Sequence, residues 1–195
     1  MTAALAGPDL QRRFSGLERL YGVAGAARIR GAHVAVIGIG GVGSWAAEAL
    51  ARSGVGRLTL VDLDHVAESN INRQIQALGS TLGMAKAEAL RQRIADIHPG
   101  CEVLCVEDFA SADNWPQLLP APVDLLIDAC DQGAAKLALA AWALQTGTPL
   151  VCVEAMKMEM WLHAAASGVV RAVHVAVKDP VAAGAVLVEL DVEEA

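Results

Sequence analysis

The sequence predicts an α/β protein: a Rossmann-like, doubly wound, mostly parallel sheet followed by a short antiparallel β tail. Short apolar runs typical of buried parallel strands recur through the first 150 residues. Helical stretches separate these runs, which implies right-handed crossovers and helices on both faces of the sheet. From about Thr148 onward, valine-rich segments alternate with turn signals instead. We therefore expect one domain over residues 1–150 and a partial β segment over 151–195.

The strands and helices of the first domain are predicted from apolar runs and helical periodicity. The first strand is expected at His33–Ile37, a run that ends at a glycine. The other four are predicted at Arg57–Asp62, Cys101–Glu107, Val123–Ala129 and Pro149–Val153. Helices are expected over residues 9–30, an arm with five arginines, and over about 42–53, 80–97, 113–119 and 133–146. Gly54 and Gly147 follow two of these helices, where a left-handed cap is wanted.

The tail is predicted to contain short antiparallel strands. Its turn signals are Ala-Ser-Gly at 166–168, Lys-Asp-Pro at 178–180 and Ala-Gly at 183–184. No linker separates the two patterns, because both share the strand Pro149–Glu154.

Composition excludes several classes of protein. Of the 195 residues, 54% are hydrophobic, which excludes a disordered chain. The uncharged stretches Gly31–Ala47 and Leu137–Val153 contain five glycines and a Gly-Thr-Pro turn respectively, so neither predicts a membrane span. The N-terminus lacks a signal pattern, so we expect a cytoplasmic protein with no membrane partner. The four cysteines form no C-x-x-C pair, which argues against a disulfide framework and a zinc knuckle.

Charge is unevenly distributed along the chain. Residues 1–100 carry 11 basic and 8 acidic groups, whereas residues 101–195 carry 4 and 14. We therefore expect an anionic partner to meet the first half.

A glycine-rich turn predicts a nucleotide site. Gly38, Gly40, Gly41 and Gly43 follow the first strand and open a helix, where the backbone can approach a phosphate. Asp62 ends the second strand about twenty residues on, where a carboxylate can accept hydrogen bonds from ribose hydroxyls. The alternative is a turn that merely permits close helix packing. The pattern alone also fits a nicotinamide cofactor.

A second cluster favours a nucleoside triphosphate over a nicotinamide cofactor. Asp64, Asn70 and Arg73 lie in the loop after Asp62, and Lys86 lies on the following helix. An arginine fork and an ammonium neutralise charge as pyrophosphate leaves, whereas a hydride cofactor does not need them. Asp131, just past the fourth strand, is positioned to hold Mg²⁺ against the phosphates.

Residues 12–150 resemble the ubiquitin-activating-enzyme-like (ThiF-type) adenylyltransferases, which include thiamine- and molybdopterin-pathway enzymes. Within this family, Ser44-Trp45 and the run Asn70–Ile75 resemble the branch that dehydrates threonylcarbamoyladenosine in tRNA. The segments that carry the resemblance are Arg13-Phe14, Leu17–Gly22, Gly38–Ala51, Asp62–Leu78, Gly83, Lys86 and Asp128–Asp131.

The resemblance implies an ATP-dependent enzyme that activates the threonylcarbamoyl carboxylate on tRNA and closes a ring with loss of water. It implies that Gly41 and Asp62 hold the nucleotide and that Asn70, Arg73 and Lys86 hold the phosphates. By the same analogy Asp131 ligates Mg²⁺, and Arg13 reaches the phosphates of the neighbouring subunit in a homodimer. The alternative for Arg13 is a surface arginine on an amphipathic arm.

The tail carries a second motif, a lysine flanked by methionines in Glu154–Glu159. With the valine-rich segments after it, residues 150–190 resemble the second half of a biotin carboxyl carrier domain. This resemblance implies biotin on Lys157, attached by a biotin protein ligase, and a carrier function as an alternative. An exposed hairpin lysine is the simpler interpretation of Lys157.

Length argues that both parts are incomplete. A biotinyl domain has two such halves, and chains of the adenylyltransferase family continue well beyond residue 150. We therefore expect a fusion of two fragments at a shared Pro-Leu-Val pattern, produced by recombination, frameshift or misassembly. Loss of activity through truncation is the alternative outcome for the enzyme part. A nicotinamide-dependent dehydrogenase is the third hypothesis for function.

Overall fold

A computed structural model describes residues 8–153, 168–176 and 185–192 of the chain. The chain divides into two compact units, Met1–Ala155 and Met156–Ala195.

The first unit contains a five-stranded parallel sheet. Its strands are β1 (His33–Ile37), β2 (Arg57–Val61), β3 (Glu102–Val106), β4 (Leu125–Asp128) and β5 (Leu150–Cys152). They lie in the order β3-β2-β1-β4-β5, and every neighbouring pair is parallel. β1 is therefore the central strand, with β2 and β3 added on one side of it and β4 and β5 on the other. The carboxyl ends of the two central strands β1 and β4 meet, because Ile37 pairs with Asp128. This is the edge at which doubly wound sheets bind ligands.

In the described part of the chain, four α-helices accompany the sheet: α1 (Leu10–Gly31), α2 (Gly43–Arg52), α3 (Lys86–Ile97) and α4 (Gly133–Thr146). Within the same residues, two short 3-10 helices lie at Glu68–Asn70 and Gly79–Thr81. Val34, Val36 and Leu58 pack on one face of the sheet with α2 and α3. Ala35, Ile37 and Leu126 pack on the other face with α4. Strands β1, β2 and β4 are thus largely buried on both sides, which is why these segments are continuous apolar runs, whereas the edge strands β3 and β5 are more exposed. The predicted doubly wound, mostly parallel α/β fold is confirmed.

The α1 arm is broken where the sequence suggested one continuous helix. Gly22 has φ of 71° and ψ of 168°, so the helical geometry is interrupted there. Glycine adopts this left-handed φ without the steric cost that a Cβ atom would add. Gly54 and Gly147 also have positive φ, as the predicted caps require.

Two further predicted helices differ from the structure. No helix forms near 113–119, where the described chain makes consecutive turns. Pro116 has no amide hydrogen, and the Asn114 side chain binds the Ser111 amide and the Phe109 carbonyl, in competition with a helix. The helix expected from residue 80 begins at Lys86, because Gly83 has φ of 78°.

The second unit contains an antiparallel pair, β6 (Gly168–Val173) and β7 (Val188–Val192). The prediction of antiparallel strands in the tail is confirmed for these two segments. Across the described parts of the chain, no helix is both long and apolar enough to cross a membrane.

Candidate functional site

The glycine turn after β1 needs two of its glycines for packing. Gly38 has φ of 88°, and a Cβ atom there would lie 2.8 Å from the Ala129 carbonyl oxygen. A Cβ atom on Gly43 would lie 1.8 Å from the Gly38 carbonyl oxygen. Any larger residue at these positions must displace backbone. The packing interpretation of the turn therefore holds for Gly38 and Gly43.

Gly40 faces open space instead, and Gly41 faces Arg73 at an ordinary contact distance. A Cβ atom on Gly40 would have no neighbour within 4 Å, and one on Gly41 would first meet the Arg73 side chain at 3.6 Å. No described side chain caps the amino end of α2, and its first turn carries no acidic residue. A ligand can therefore approach the backbone here, beside the positive end of a helix dipole.

Asp62 lies directly after β2 and fastens the glycine turn. Its Oδ2 accepts a hydrogen bond from the Ile39 amide at 2.6 Å, and its Oδ1 accepts one from the Asp64 amide at 2.9 Å. A carboxylate has about four lone-pair directions, so these two bonds leave acceptor capacity. Asp62 is thus positioned at the turn, and its contact with ribose stays a prediction.

Lys86 is a buried cation at the amino end of α3. The residue is 6% exposed, and its Nζ lies 2.6 Å from Asp64 Oδ2 and 3.9 Å from Asp62 Oδ1. The Asp64 side chain is 72% exposed. The structure therefore brings Lys86, Asp62 and Asp64 together. Asp64 balances the charge of the ammonium that the sequence predicts to meet phosphate.

Asn70 and Arg73 occupy the loop beside the glycine turn. Asn70 is buried, and its Oδ1 accepts a hydrogen bond from the Ala67 amide at 3.0 Å. Arg73 is exposed, and its Nη1 donates to Ser69 O and to Asn72 Oδ1. Arg73 thus lies against Gly41, whereas Asn70 shapes the loop through its own side chain.

Arg13 lies apart from this cluster within one chain. Its Nη1 donates to the carbonyl oxygens of Asp96 at 2.9 Å and Ile97 at 2.6 Å, at the carboxyl end of α3. Lys86 begins that helix, about 17 Å away along its axis. Arg13 therefore caps α3, and its predicted contact with a neighbouring subunit stays a prediction.

The end of β4 supplies a buried ion pair that the sequence reasoning missed. Asp128 is fully buried, with its Oδ2 3.1 Å from Lys136 Nζ and its Oδ1 bonded to the Cys130 amide and thiol. An aspartate ending a strand, with a lysine on the next helix, was the available signal. Burial and the bond to Asp128 raise the pKa of Cys130 to about 12, so this thiol stays protonated near neutral pH.

Asp131 lies in the exposed connection between β4 and α4. This connection adjoins the glycine turn, as the close approach of Ala129 to Gly38 and Gly43 shows. No group of three or more potential metal ligands occurs among the residues that the structure describes. Mg²⁺ commonly uses one or two carboxylates together with substrate phosphates, so a single aspartate beside a phosphate turn is compatible with it. Lys157 lies outside the described residues.

Gln76 is a second residue that the sequence reasoning passed over. It is 1% exposed, and its Nε2 donates to the Ile39 carbonyl at 3.0 Å. Its Oε1 has no hydrogen-bond partner among the described residues. Gln76 thereby binds the carbonyl of Ile39, the residue whose amide donates to Asp62. A polar residue in an otherwise apolar loop end was the only sequence signal.

The glycine turn, the cations Arg73 and Lys86, and several carboxylates therefore lie together at the carboxyl edge of the sheet. Such a site can hold a nucleotide with its phosphates at the turn and neutralise charge that develops on them.

Comparisons with known proteins agree with this geometry. The chain is 48% identical over 141 residues to the tRNA threonylcarbamoyladenosine dehydratase of Escherichia coli K12, covering 72% of this chain and 53% of that protein. It is 45% identical over 139 residues to the Bacillus subtilis 168 protein of the same name, covering 71% and 55%. The chain thus spans about half the length of the curated relatives it matches.

A solved structure matches the fold. The crystal structure of the E. coli tRNA N6-threonylcarbamoyladenosine dehydratase in complex with ATP is 47% identical, with a TM-score of 0.70, over 73% of this chain and 58% of that one. The sequence model of the ThiF family matches residues 11–182, a range that extends past the predicted boundary at residue 150. The chain belongs to the ThiF family.

Proposed function

We propose that this chain binds ATP at the glycine turn and activates the carboxylate of a threonylcarbamoyl group on tRNA for cyclising dehydration. The observation that carries the proposal is the grouping of the uncapped glycine turn, Gly40-Gly41, with Arg73, Lys86 and Asp62 at one sheet edge. The likeness to an ATP-bound dehydratase supports ATP over a nicotinamide cofactor.

The chemistry needs positioning and charge neutralisation more than covalent help. A carboxylate oxygen of the substrate attacks the α-phosphorus of ATP, and pyrophosphate leaves. A nucleophilic atom of the same group then attacks the activated carbonyl carbon and releases its proton to solvent as the ring closes. The bond from that carbon to the adenylate oxygen breaks, so the former carboxylate oxygen leaves in AMP. The substrate has then lost the elements of water, and ATP has become AMP and pyrophosphate. Arg73 and Lys86 stabilise the negative charge on the phosphates during the first step.

Asp131 would hold Mg²⁺ against the phosphates. The ion would supply further positive charge as pyrophosphate departs. Replacing Asp131 by Asn should weaken magnesium-dependent ATP binding while leaving metal-free nucleotide binding unchanged, as measured by calorimetry with and without magnesium. Equal magnesium dependence in both proteins would count against Asp131.

Arg73 provides the sharpest test of the proposal. Arg73→Ala should abolish ATP–pyrophosphate exchange in the presence of tRNA bearing threonylcarbamoyladenosine. The melting temperature should be retained, because an exposed loop arginine contributes little stability. Arg91→Ala, another exposed arginine, serves as the matched control. Exchange by Arg73→Ala at the wild-type rate would contradict the proposal.

A homodimer completes the proposal, with Arg13 acting on the neighbouring subunit. An equal mixture of Arg13→Ala and Arg73→Ala subunits forms heterodimers with one intact site each. Exchange activity should therefore recover to about a quarter of the wild-type level after reassembly. No recovery, with dimers present by sedimentation, would place Arg13 in its own subunit as the α3 cap alone.

A second function is proposed for the tail, because the Met-Lys-Met motif there precedes an antiparallel strand pair. We infer that Lys157 accepts biotin from a biotin protein ligase and that the tail derives from a carboxyl carrier. Streptavidin blotting of the chain and of Lys157→Arg tests this inference. A signal that persists in Lys157→Arg, or no signal in either protein, would reject it.

A further inference from the structure

Trp45 is an exposed aromatic residue that the proposed reaction does not use. It lies in the first turn of α2 with 54% of its surface exposed. Its Nε1 nevertheless donates a hydrogen bond to the carbonyl oxygen of Arg73 at 3.0 Å. The indole thus links α2 to Arg73, the residue nearest to a Cβ atom built on Gly41.

The loop that carries Arg73 is held on each side of this residue. Asn70 O accepts the amides of Arg73 at 3.1 Å and Gln74 at 2.9 Å, which forms a turn within the loop. Ser44 Oγ accepts the Ile75 amide at 3.4 Å, a longer contact. The bond from Trp45 is therefore the shorter of the two that join α2 directly to this stretch.

The hydrogen bonds described for the Arg73 side chain do not attach the loop to α2. Its Nη1 bonds go to Ser69 and Asn72, which belong to the same loop. Its Cγ and Cδ atoms lie 3.6 Å from the position that a Cβ atom on Gly41 would occupy. A shift of the Arg73 backbone away from α2 would therefore carry the guanidinium away from the glycine turn.

We infer that Trp45 is a positioning residue, whose indole N–H holds the Arg73 backbone against α2 so that the Arg73 side chain lies over Gly41. This inference rests on the proposed function, because it assigns Trp45 a role only where a nucleotide binds beside Gly41. It concerns the hydrogen bond, which phenylalanine cannot make although it keeps an aromatic ring.

The test compares ATP binding by the complete wild-type chain and its Trp45→Phe variant, measured by calorimetry. One hydrogen bond of ordinary net strength corresponds to a loss of about fivefold in ATP affinity. The melting temperature should change little, because the ring remains. Trp142→Phe makes the same replacement on α4, away from the loop, and should leave ATP affinity unchanged.

A double-mutant cycle separates positioning from general loosening. In the Arg73→Ala background, Trp45→Phe should weaken ATP binding no further, because the group that it positions is gone. In turnover with modified tRNA, Trp45→Phe should raise KM for ATP about fivefold while kcat changes less than about twofold. The reason is that Arg73 is still present in this variant and contacts the phosphates once ATP is saturating. Arg73→Ala should lower kcat itself.

Two results would overturn the inference while leaving the proposed function intact: wild-type ATP affinity in Trp45→Phe, and an equal loss in both backgrounds. If Trp45→Phe keeps wild-type affinity and Trp45→Leu loses it, the effect belongs to the aromatic ring and not to the hydrogen bond. Failure of the wild-type chain to bind ATP would instead contradict the proposed function and the inference together.

Discussion

At the scale of single residues, the four glycines of the turn perform two different tasks. Gly38 and Gly43 are required by the backbone contacts around them, whereas a Cβ atom on Gly40 would meet nothing and one on Gly41 would make only ordinary contacts with Arg73. The same residue type therefore supports packing at two positions and ligand approach at the other two. A motif search treats these glycines alike, whereas the local distances distinguish them.

Substitution by alanine should separate the two tasks. Gly41→Ala should fold normally, because its Cβ would meet Arg73 at an ordinary contact distance of 3.6 Å. It should lose about tenfold or more in ATP affinity, since the methyl group occupies the approach of the phosphates. Gly43→Ala should instead lose about 3 kcal/mol of stability, because its Cβ collides with backbone.

Urea unfolding and calorimetry with ATP measure both effects on the two proteins. The glycine interpretation would be wrong if Gly43→Ala were as stable as Gly41→Ala, or if Gly41→Ala bound ATP as the wild type does.

At the scale of elements, the amino-terminal half of α1 packs against the carboxyl end of α3. Phe14 packs on His98 with ring centroids 4.5 Å apart, and Arg13 caps α3 beside it. His98 is buried, and its Nδ1 has no hydrogen-bond partner among the described residues. The pKa of His98 is lowered by burial and by the charge of Arg13, although the Gly54 carbonyl opposes this shift.

This attachment should make stability depend on pH. In the unfolded chain His98 takes up a proton near pH 6.5, whereas the folded chain resists it until lower pH. The unfolded state therefore binds more protons as pH falls below about 6.5, and folding stability decreases there, by at most about 1.4 kcal/mol per pH unit for one group. Above that pH the ring is neutral in both states and the effect vanishes.

The His98→Gln variant tests the assignment, because it removes the titrating group and keeps a polar side chain. Urea unfolding between pH 5 and 8, about the range in which histidine titrates, should show a shallower pH dependence for His98→Gln than for the wild type. His65 is exposed and remains present in both proteins, so its contribution cancels in the comparison. Parallel curves for the two proteins would reject the assignment.

At the scale of the whole molecule, charge is separated along the chain. The first 100 residues carry a small excess of basic groups, and the remainder is strongly acidic. Arg19 and Arg28 are exposed on α1, within the basic half. A polyanionic substrate should therefore meet this half through its phosphates.

Binding of tRNA should depend on salt through these arginines. The double variant Arg19→Gln with Arg28→Gln should bind tRNA more weakly at low salt, and its log–log salt slope should be smaller by about one for each phosphate that an arginine no longer neutralises. Fluorescence anisotropy between about 50 and 200 mM salt measures the slope. ATP affinity should not change, since neither residue lies at the glycine turn. An unchanged slope would remove α1 from the tRNA surface.

The sequence determined the local pattern of this protein. The strands, most helix limits and the left-handed Gly54 and Gly147 follow from short-range preferences, because hydrophobic periodicity and glycine act within a few residues of chain. The predicted 113–119 helix was wrong for a related reason. Side-chain bonds of Asn114 compete with helical ones there, and apolar periodicity does not record such competition.

Only the tertiary structure decided which distant residues meet. It placed Arg13 at the end of α3, paired Lys86 with Asp64, buried Asp128 with Lys136, and set the Trp45 indole on the Arg73 carbonyl. Each contact joins segments from different elements, and the distance between them depends on how the helices pack on the sheet. The glycine motif located the site from sequence, but the partners of its charged groups depend on that packing.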